Sequence, residues 1–205
     1  MMEKLTFYSN PYSRGRIVRW MLEEVGANYD VEIMEFGGSI KSAAYLAINP
    51  MGKVPAIKHG HTVITEVVAI CAYLADQFPE KNLAPALNDP ARGCYYRWLF
   101  FAAGPLEMAM TATAFKWDID EKNVQSVGCG YVSDTVNTLE MALKKGPYIC
   151  GEQFTTADLV LSSYIGWEIS QKHLEARPVF TDYVKRCEQR PAAVRANQLD
   201  DALIR

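Results

Sequence analysis

Asn49-Pro50-Met51-Gly52-Lys53-Val54-Pro55-Ala56-Ile57-Lys58-His59-Gly60-His61-Thr62-Val63-Ile64-Thr65-Glu66-Val67 is the stretch on which the fold turns. A turn leads into an X-Pro bond at the start of a strand, where Pro55 can donate no ladder hydrogen bond. Val54 to Ile64 reads as a hairpin turning at Gly60. Glu66 to Phe78 follows as a helix, with Val67, Ile70, Cys71 and Leu74 at i, i+3, i+4 spacing and Phe78-Pro79 ending it. A cis Val54-Pro55 bond would turn the N–H and C=O of Val54 outward, free to pair with an extended peptide laid alongside. About 5% of X-Pro bonds in folded proteins are cis, so a trans proline opening an edge strand is the default for this dipeptide alone. Glu66 can hold an ammonium while the Val67 N–H takes a carboxylate, which suits the amino-acid end of a ligand. A single Glu that complements the helix dipole is the commoner case.

Toward the N-terminus, residues 4–9 alternate as a strand. Residues 14–25 place Ile17, Val18, Met21, Leu22 and Val25 on one helical stripe that stops at Gly26. Tyr29 to Phe36 alternates again until Gly37-Gly38 breaks it. Strand, helix, strand, helix-like segment, strand, strand, helix is a mixed α/β unit over residues 1–78. The loop Ser9-Asn10-Pro11-Tyr12-Ser13-Arg14-Gly15-Arg16 packs hydroxyls at a helix N-terminus, where backbone N–H groups and the dipole stabilise an anion and Arg14 and Arg16 would add charge. A thiolate or a carboxylate fits there. An ordinary Ser N-cap on an exposed basic helix carries equal weight for this loop taken alone.

Toward the C-terminus, Pro79, Pro85 and Pro90 mark residues 79–90 as a connector. Helical periodicity then takes over at 91–116, 123–145, 155–172 and 178–188, so 91–205 reads as all-helical. In Phe154-Thr155-Thr156-Ala157-Asp158-Leu159, Thr155 and Asp158 are spaced to cap each other, and Phe154 can staple onto Leu159. Most aromatics between Tyr95 and Met108 must be core, with Phe101, Met108 and Phe115 the candidates for a co-substrate wall.

The chain has 205 residues, 49% hydrophobic and 22% charged, enough for one large domain or two small ones. With 21 basic against 24 acidic residues and no basic tract, the electrostatic footprint of a nucleic-acid binder is missing. No apolar run approaches the roughly 18 residues of a membrane span, and the first residues enter a strand without a secretion signal, so a cytoplasmic protein is expected. Five cysteines without a C-x-x-C pair read as reduced core thiols. His59 and His61 share a strand face but have no third ligand nearby, so no metal site is expected.

The strand, loop and Leu-Glu-Glu-Val-Gly helix end at 4–26, the Asn-Pro-x-Gly-Lys-Val-Pro run at 49–55, Thr65-Glu66, and Gly151 to Asp158 together resemble the cytosolic glutathione S-transferases over nearly the whole chain. The resemblance implies an α/β plus all-α fold, a thioredoxin-like domain followed by a helical bundle, and a homodimer. It implies glutathione as co-substrate and a small apolar electrophile in a cleft. Val54 would pair with the cysteinyl backbone, Glu66 with the γ-glutamyl ammonium, and Lys53 with the glycine carboxylate; Ser9, Arg14, Arg16, Pro55 and Val67 complete the implied binding set. Val67 stands where the family usually has Ser or Thr. A Tyr, Ser or Cys near the first loop activates the thiol in that family, and no Cys is present here; Ser13 ranks first, then Tyr12, then Asn10. A ligand carrier that has lost catalysis and a glutathione-dependent peroxidase are the competing readings.

Overall fold

The computed structural model describes residues 4–204. It divides into two compact units, one running to Lys81 and resuming at Arg190, the other spanning Asn82–Gln189.

The first unit is built on a four-stranded sheet ordered β2-β1-β3-β4. β1 (Leu5–Ser9) buries Leu5, Phe7 and Ser9 in alternation, as the pattern predicts. It runs parallel to β2 (Asp30–Ile33) and antiparallel to β3 (Ala56–His59), which pairs with β4 (Thr62–Thr65) through the Gly60 turn. The parallel β1–β2 pair requires a crossover, and α1 (Gly15–Val25) supplies it, burying Ile17, Val18, Met21, Leu22 and Val25. Gly26 ends α1 at φ 66°, ψ 34°, the left-handed conformation that glycine reaches without a Cβ penalty. The short α2 (Ala43–Leu46) is capped by Ser42, whose hydroxyl accepts the Tyr45 N–H. α3 (Val67–Gln77) buries Val67, Ile70, Cys71, Leu74 and Ala75.

The second unit contains α4 (Ala91–Phe101), a π-turn (Ala102–Leu106), α5 (Glu107–Phe115), α6 (Val132–Leu143), α7 (Thr156–Ser170) and α8 (Pro178–Glu188). The π-turn takes in Pro105, which has no N–H to lose. Thr155 and Asp158 form the expected capping box. The fully buried Asp158 carboxylate also accepts the Ile149 N–H at 2.7 Å and the Tyr183 hydroxyl at 2.9 Å, so the cap doubles as a tie between α8 and the loop before α7. Tyr95, Trp98, Leu106 and Phe180 fill the core.

The sequence reading counts everything from residue 91 as helical domain, yet α9 (Pro191–Asp201) packs with the first unit. Its buried face is Ala192, Ala193 and Ala196, which lets it lie close on α1, and ion pairs fix it there. Arg19 Nε meets Asp200 Oδ1 at 2.7 Å with both side chains buried, and Arg190 grips Glu24 through two bonds of 2.7 and 2.8 Å. The expected helix at 123–145 begins only at Val132, after turns through Gly128 and Gly130. The expectation of core thiols holds for Cys71, Cys129 and Cys187, whereas Cys94 is exposed and Cys150 half-buried. Among the described residues no helix is long and apolar enough to cross a membrane.

Candidate active site

Sheet register gathers the predicted segments. Tyr8 pairs with Ala56, and Ala56 with Thr65. The loop after β1, the Val54-Pro55 dipeptide before β3 and Glu66 after β4 therefore all issue from one end of the sheet. That end also carries the N-termini of α1 and α3, two sets of backbone N–H groups with positive dipole ends.

In the first loop the polar groups are already organised. Asn10 donates from Nδ2 to the Met34 carbonyl at 2.8 Å, and its Oδ1 accepts the Tyr12 N–H at 2.9 Å. The Ser13 hydroxyl donates to the Asn10 carbonyl at 2.7 Å and accepts the Gly15 N–H at 2.9 Å. Ser13, the first-ranked thiol activator, is thus engaged on both sides in shaping the turn. Tyr12, the second, is 61% exposed. Asn10, the third, is buried, and its amide has two N–H donors of which the Met34 bond takes one. The Ser9 hydroxyl is buried without a hydrogen-bond partner beside Gly15, where an added Cβ would stand 2.1 Å from Ser9 Oγ. Arg16, expected to add charge for an anion, instead meets Asp201 at 2.8 Å and Asn197 at 3.1 Å on α9. Arg14 sits at the N-cap of α1.

The second segment is anchored through Lys53. Its carbonyl accepts both the Tyr45 hydroxyl at 2.7 Å and the Asn49 Nδ2 at 2.8 Å. Asn49 further accepts the Met51 N–H on Oδ1 and the Gly52 N–H on its carbonyl, and Gly52 holds φ 57°. Burial pushes the Tyr45 hydroxyl up to about 12, which keeps it a proton donor at neutral pH. The Val54-Pro55 bond is cis, as the ligand-pairing reading expects. Val54 is half-buried against Met34, Ile40 and Tyr45, and the Lys53 side chain is exposed. Tyr45 and Asn49 escape the sequence reading as site-building residues; only the Asn-Pro-x-Gly spelling signals the latter.

Glu66 stands at the N-cap of α3 with φ 68° and ψ 123°. A non-glycine residue at such a φ costs about 1–3 kcal/mol and persists where the surroundings fix it, often at ligand clamps. Its carbonyl accepts the Ile70 N–H at 2.9 Å. Its side chain is exposed, beside the first N–H of α3 at Val67.

Of the other candidates, Phe101 lies edge-on against Trp98 at 5.0 Å, while Met108 and Phe115 are exposed. His59 Nδ1 lies 2.8 Å from the Tyr73 hydroxyl, and His61 falls in the hairpin turn rather than on the strand. No group of three or more His, Cys, Asp or Glu suited to a metal ion occurs among the described residues.

Fold and site together define a two-domain architecture: a thioredoxin-like domain whose sheet end collects two helix N-termini and a cis-proline loop, followed by a helical domain. Residues 11–77 match the N-terminal domain of glutathione S-transferases and residues 105–191 their C-terminal domain. Glutathione S-transferase GstA of Escherichia coli O157:H7 is 33% identical over 72% of this chain and 73% of its own length. A glutathione transferase crystal structure from Methylococcus capsulatus superposes with a TM-score of 0.78 at 28% identity, covering 98% of this chain and 100% of that one. A sphingomonad glutathione S-transferase solved in complex with glutathione gives 0.77 at 25% identity over 96% and 98% of the two chains. The chain belongs to the glutathione S-transferase family, transferases whose co-substrate is glutathione.

Proposed function

We propose that this protein ionises the glutathione thiol at the β1–α1 loop and directs the thiolate onto small apolar electrophiles, a conjugating and detoxifying reaction. The observation that carries the reading is the convergence of the α1 N-terminus, Val54 and the strained Glu66 at one sheet end. Glutathione would lie extended along Val54, its γ-glutamyl ammonium on Glu66, its γ-glutamyl carboxylate on the Val67 N–H and its glycine carboxylate toward Lys53. The thiol would then rest at the α1 N-terminus. A thiol of pKa about 8.5 must drop about two units to be ionised at neutral pH, which is about 2.7 kcal/mol. One hydrogen bond to a charged acceptor, about 1.5–3 kcal/mol, together with a helix N-terminus supplies that.

Asn10 is the donor this geometry favours, because Ser13 must first break its bond to the Asn10 carbonyl before its proton can reach a ligand. The pre-anchored amide keeps one N–H uncommitted to Met34. Thiolate attack on an electrophilic carbon then needs only orientation from the protein. A cytoplasmic homodimer completes the reading. Retention of the full chain on immobilised glutathione, followed by assays with aryl halides, isothiocyanates and hydroperoxides, tests it. Turnover of the carbon electrophiles is expected; turnover of hydroperoxides alone would make it a peroxidase, and retention without any turnover a ligand carrier.

A further inference from the structure

β2 is one edge of the four-stranded sheet, and Asp30, Val31, Glu32 and Ile33 are all exposed. The Met34 N–H donates to the Ser9 carbonyl at 2.8 Å, and Ser9 lies opposite Ile33 in the parallel register. A parallel ladder bonds every second residue of a strand to its neighbour, so Asp30, Glu32 and Met34 turn their main-chain groups toward β1. The N–H and C=O of Val31 and Ile33 therefore point outward, away from the sheet. Side chains alternate with the same period. Val31 and Ile33 share the face of Phe7 and are 37% and 42% exposed, apolar groups of a kind that natural sheet edges tend to cover or replace. Asp30 and Glu32 share the opposite face; Lys4 meets Asp30 at 2.8 Å, and Glu32, two residues on, carries the next exposed negative charge. Pairing this edge with its own copy would bring like-charged rows together, which opposes self-association and favours a cationic strand.

We propose that β2 is a docking edge for an extended peptide segment of alternating apolar and basic residues, which adds to the sheet as a further strand. The main chain of the segment pairs with the outward N–H and C=O groups of Val31 and Ile33 and supplies the affinity. Its apolar side chains lie on the face of Val31 and Ile33. Its Lys or Arg side chains fall on the other face, beside Glu32, and set the specificity by charge. Docking there requires nothing of the transfer reaction.

Fluorescence anisotropy of a labelled hexapeptide of alternating lysine and valine, titrated with the full chain, tests this, with NMR-detected amide exchange to locate the contact. Saturable binding that weakens with salt is expected. The Val31 and Ile33 amides should exchange about tenfold slower or more in the complex. A glutamate–valine peptide should fail to bind for its charge, and the lysine–valine peptide N-methylated at every amide should fail for its lost donors. Glu32→Lys should weaken binding about tenfold. Val31→Pro removes one outward N–H without touching the β1 ladder, so it should abolish binding with the far-ultraviolet circular dichroism unchanged; if that variant unfolds, the peptide series and Glu32→Lys decide. No binding by wild type, equal binding of either control peptide, protection confined to other amides, or wild-type affinity in Glu32→Lys overturns the proposal. So does protection of Val31 and Ile33 that rises with chain concentration without peptide, which would make the edge a contact between copies.

Discussion

In the proposed reaction, single side chains in the first loop decide how far a bound thiol ionises. Asn10→Ala should raise the pKa of bound glutathione by about one unit or more, since a lost hydrogen bond to a charged acceptor is about 1.5–3 kcal/mol. Ser13→Ala should move it less, because the Ser13 proton already serves the Asn10 carbonyl. Tyr12→Phe should leave it near wild type; ultraviolet titration of the thiolate in all three variants ranks the donors, and a shift confined to Ser13→Ala would restore the sequence-based order. Gly15 is fixed by space: an added Cβ would meet Ser9 Oγ at 2.1 Å and Ser13 Oγ at 2.9 Å, so Gly15→Ala should cost about 1–3 kcal/mol in denaturant melts. Val67→Ser should tighten glutathione about tenfold if a hydroxyl at the α3 N-terminus reaches the γ-glutamyl carboxylate, as titration calorimetry would show. The loop's residue types were legible in the sequence; which proton was already committed was not, because that depends on carbonyls brought close by the turn itself.

Elements were legible in proportion to their apolar contrast. The stripes of α1 and α3 and the capping box of α7 stand out because large side chains alternate with polar ones. α9 did not, since its buried face is three alanines, and α6 lost its expected first turns to Gly128 and Gly130. Charge on α9 does what bulk does elsewhere. Asp200→Ala would leave Arg19 buried without its carboxylate and should cost about 3–5 kcal/mol in urea melts. At the start of α7, burial holds the Asp158 carboxyl above its ordinary value despite its donors. A carboxyl raised in the folded state binds its proton more readily there than in the unfolded chain. Its contribution is therefore full below the ordinary aspartate range and is lost as pH rises through the raised value. Asp158→Asn should flatten that stretch of the stability–pH profile; an unchanged slope would mean that the donors to Asp158 cancel the effect of burial, and a slope changed in the opposite sense that they outweigh it.

At the scale of the whole molecule, the division into a mixed α/β unit and a helical one was legible from the loss of strand alternation after Pro79. The return of the last helix to the first unit was not, because nothing local to residues 191–201 encodes a partner on α1. The family resemblance also implies a homodimer; sedimentation equilibrium at micromolar concentration should give twice the 23.0 kDa chain mass, and a monomer would contradict it. The central claim is that the assembled sheet end makes a thiolate of glutathione at neutral pH. Its most direct measurement is the ultraviolet titration of thiolate absorbance for glutathione bound to the wild-type chain against glutathione free in the same buffer. A bound midpoint about one to two units below the ordinary thiol value of about 8.5 is the predicted result; a bound midpoint equal to that of free glutathione would contradict the account.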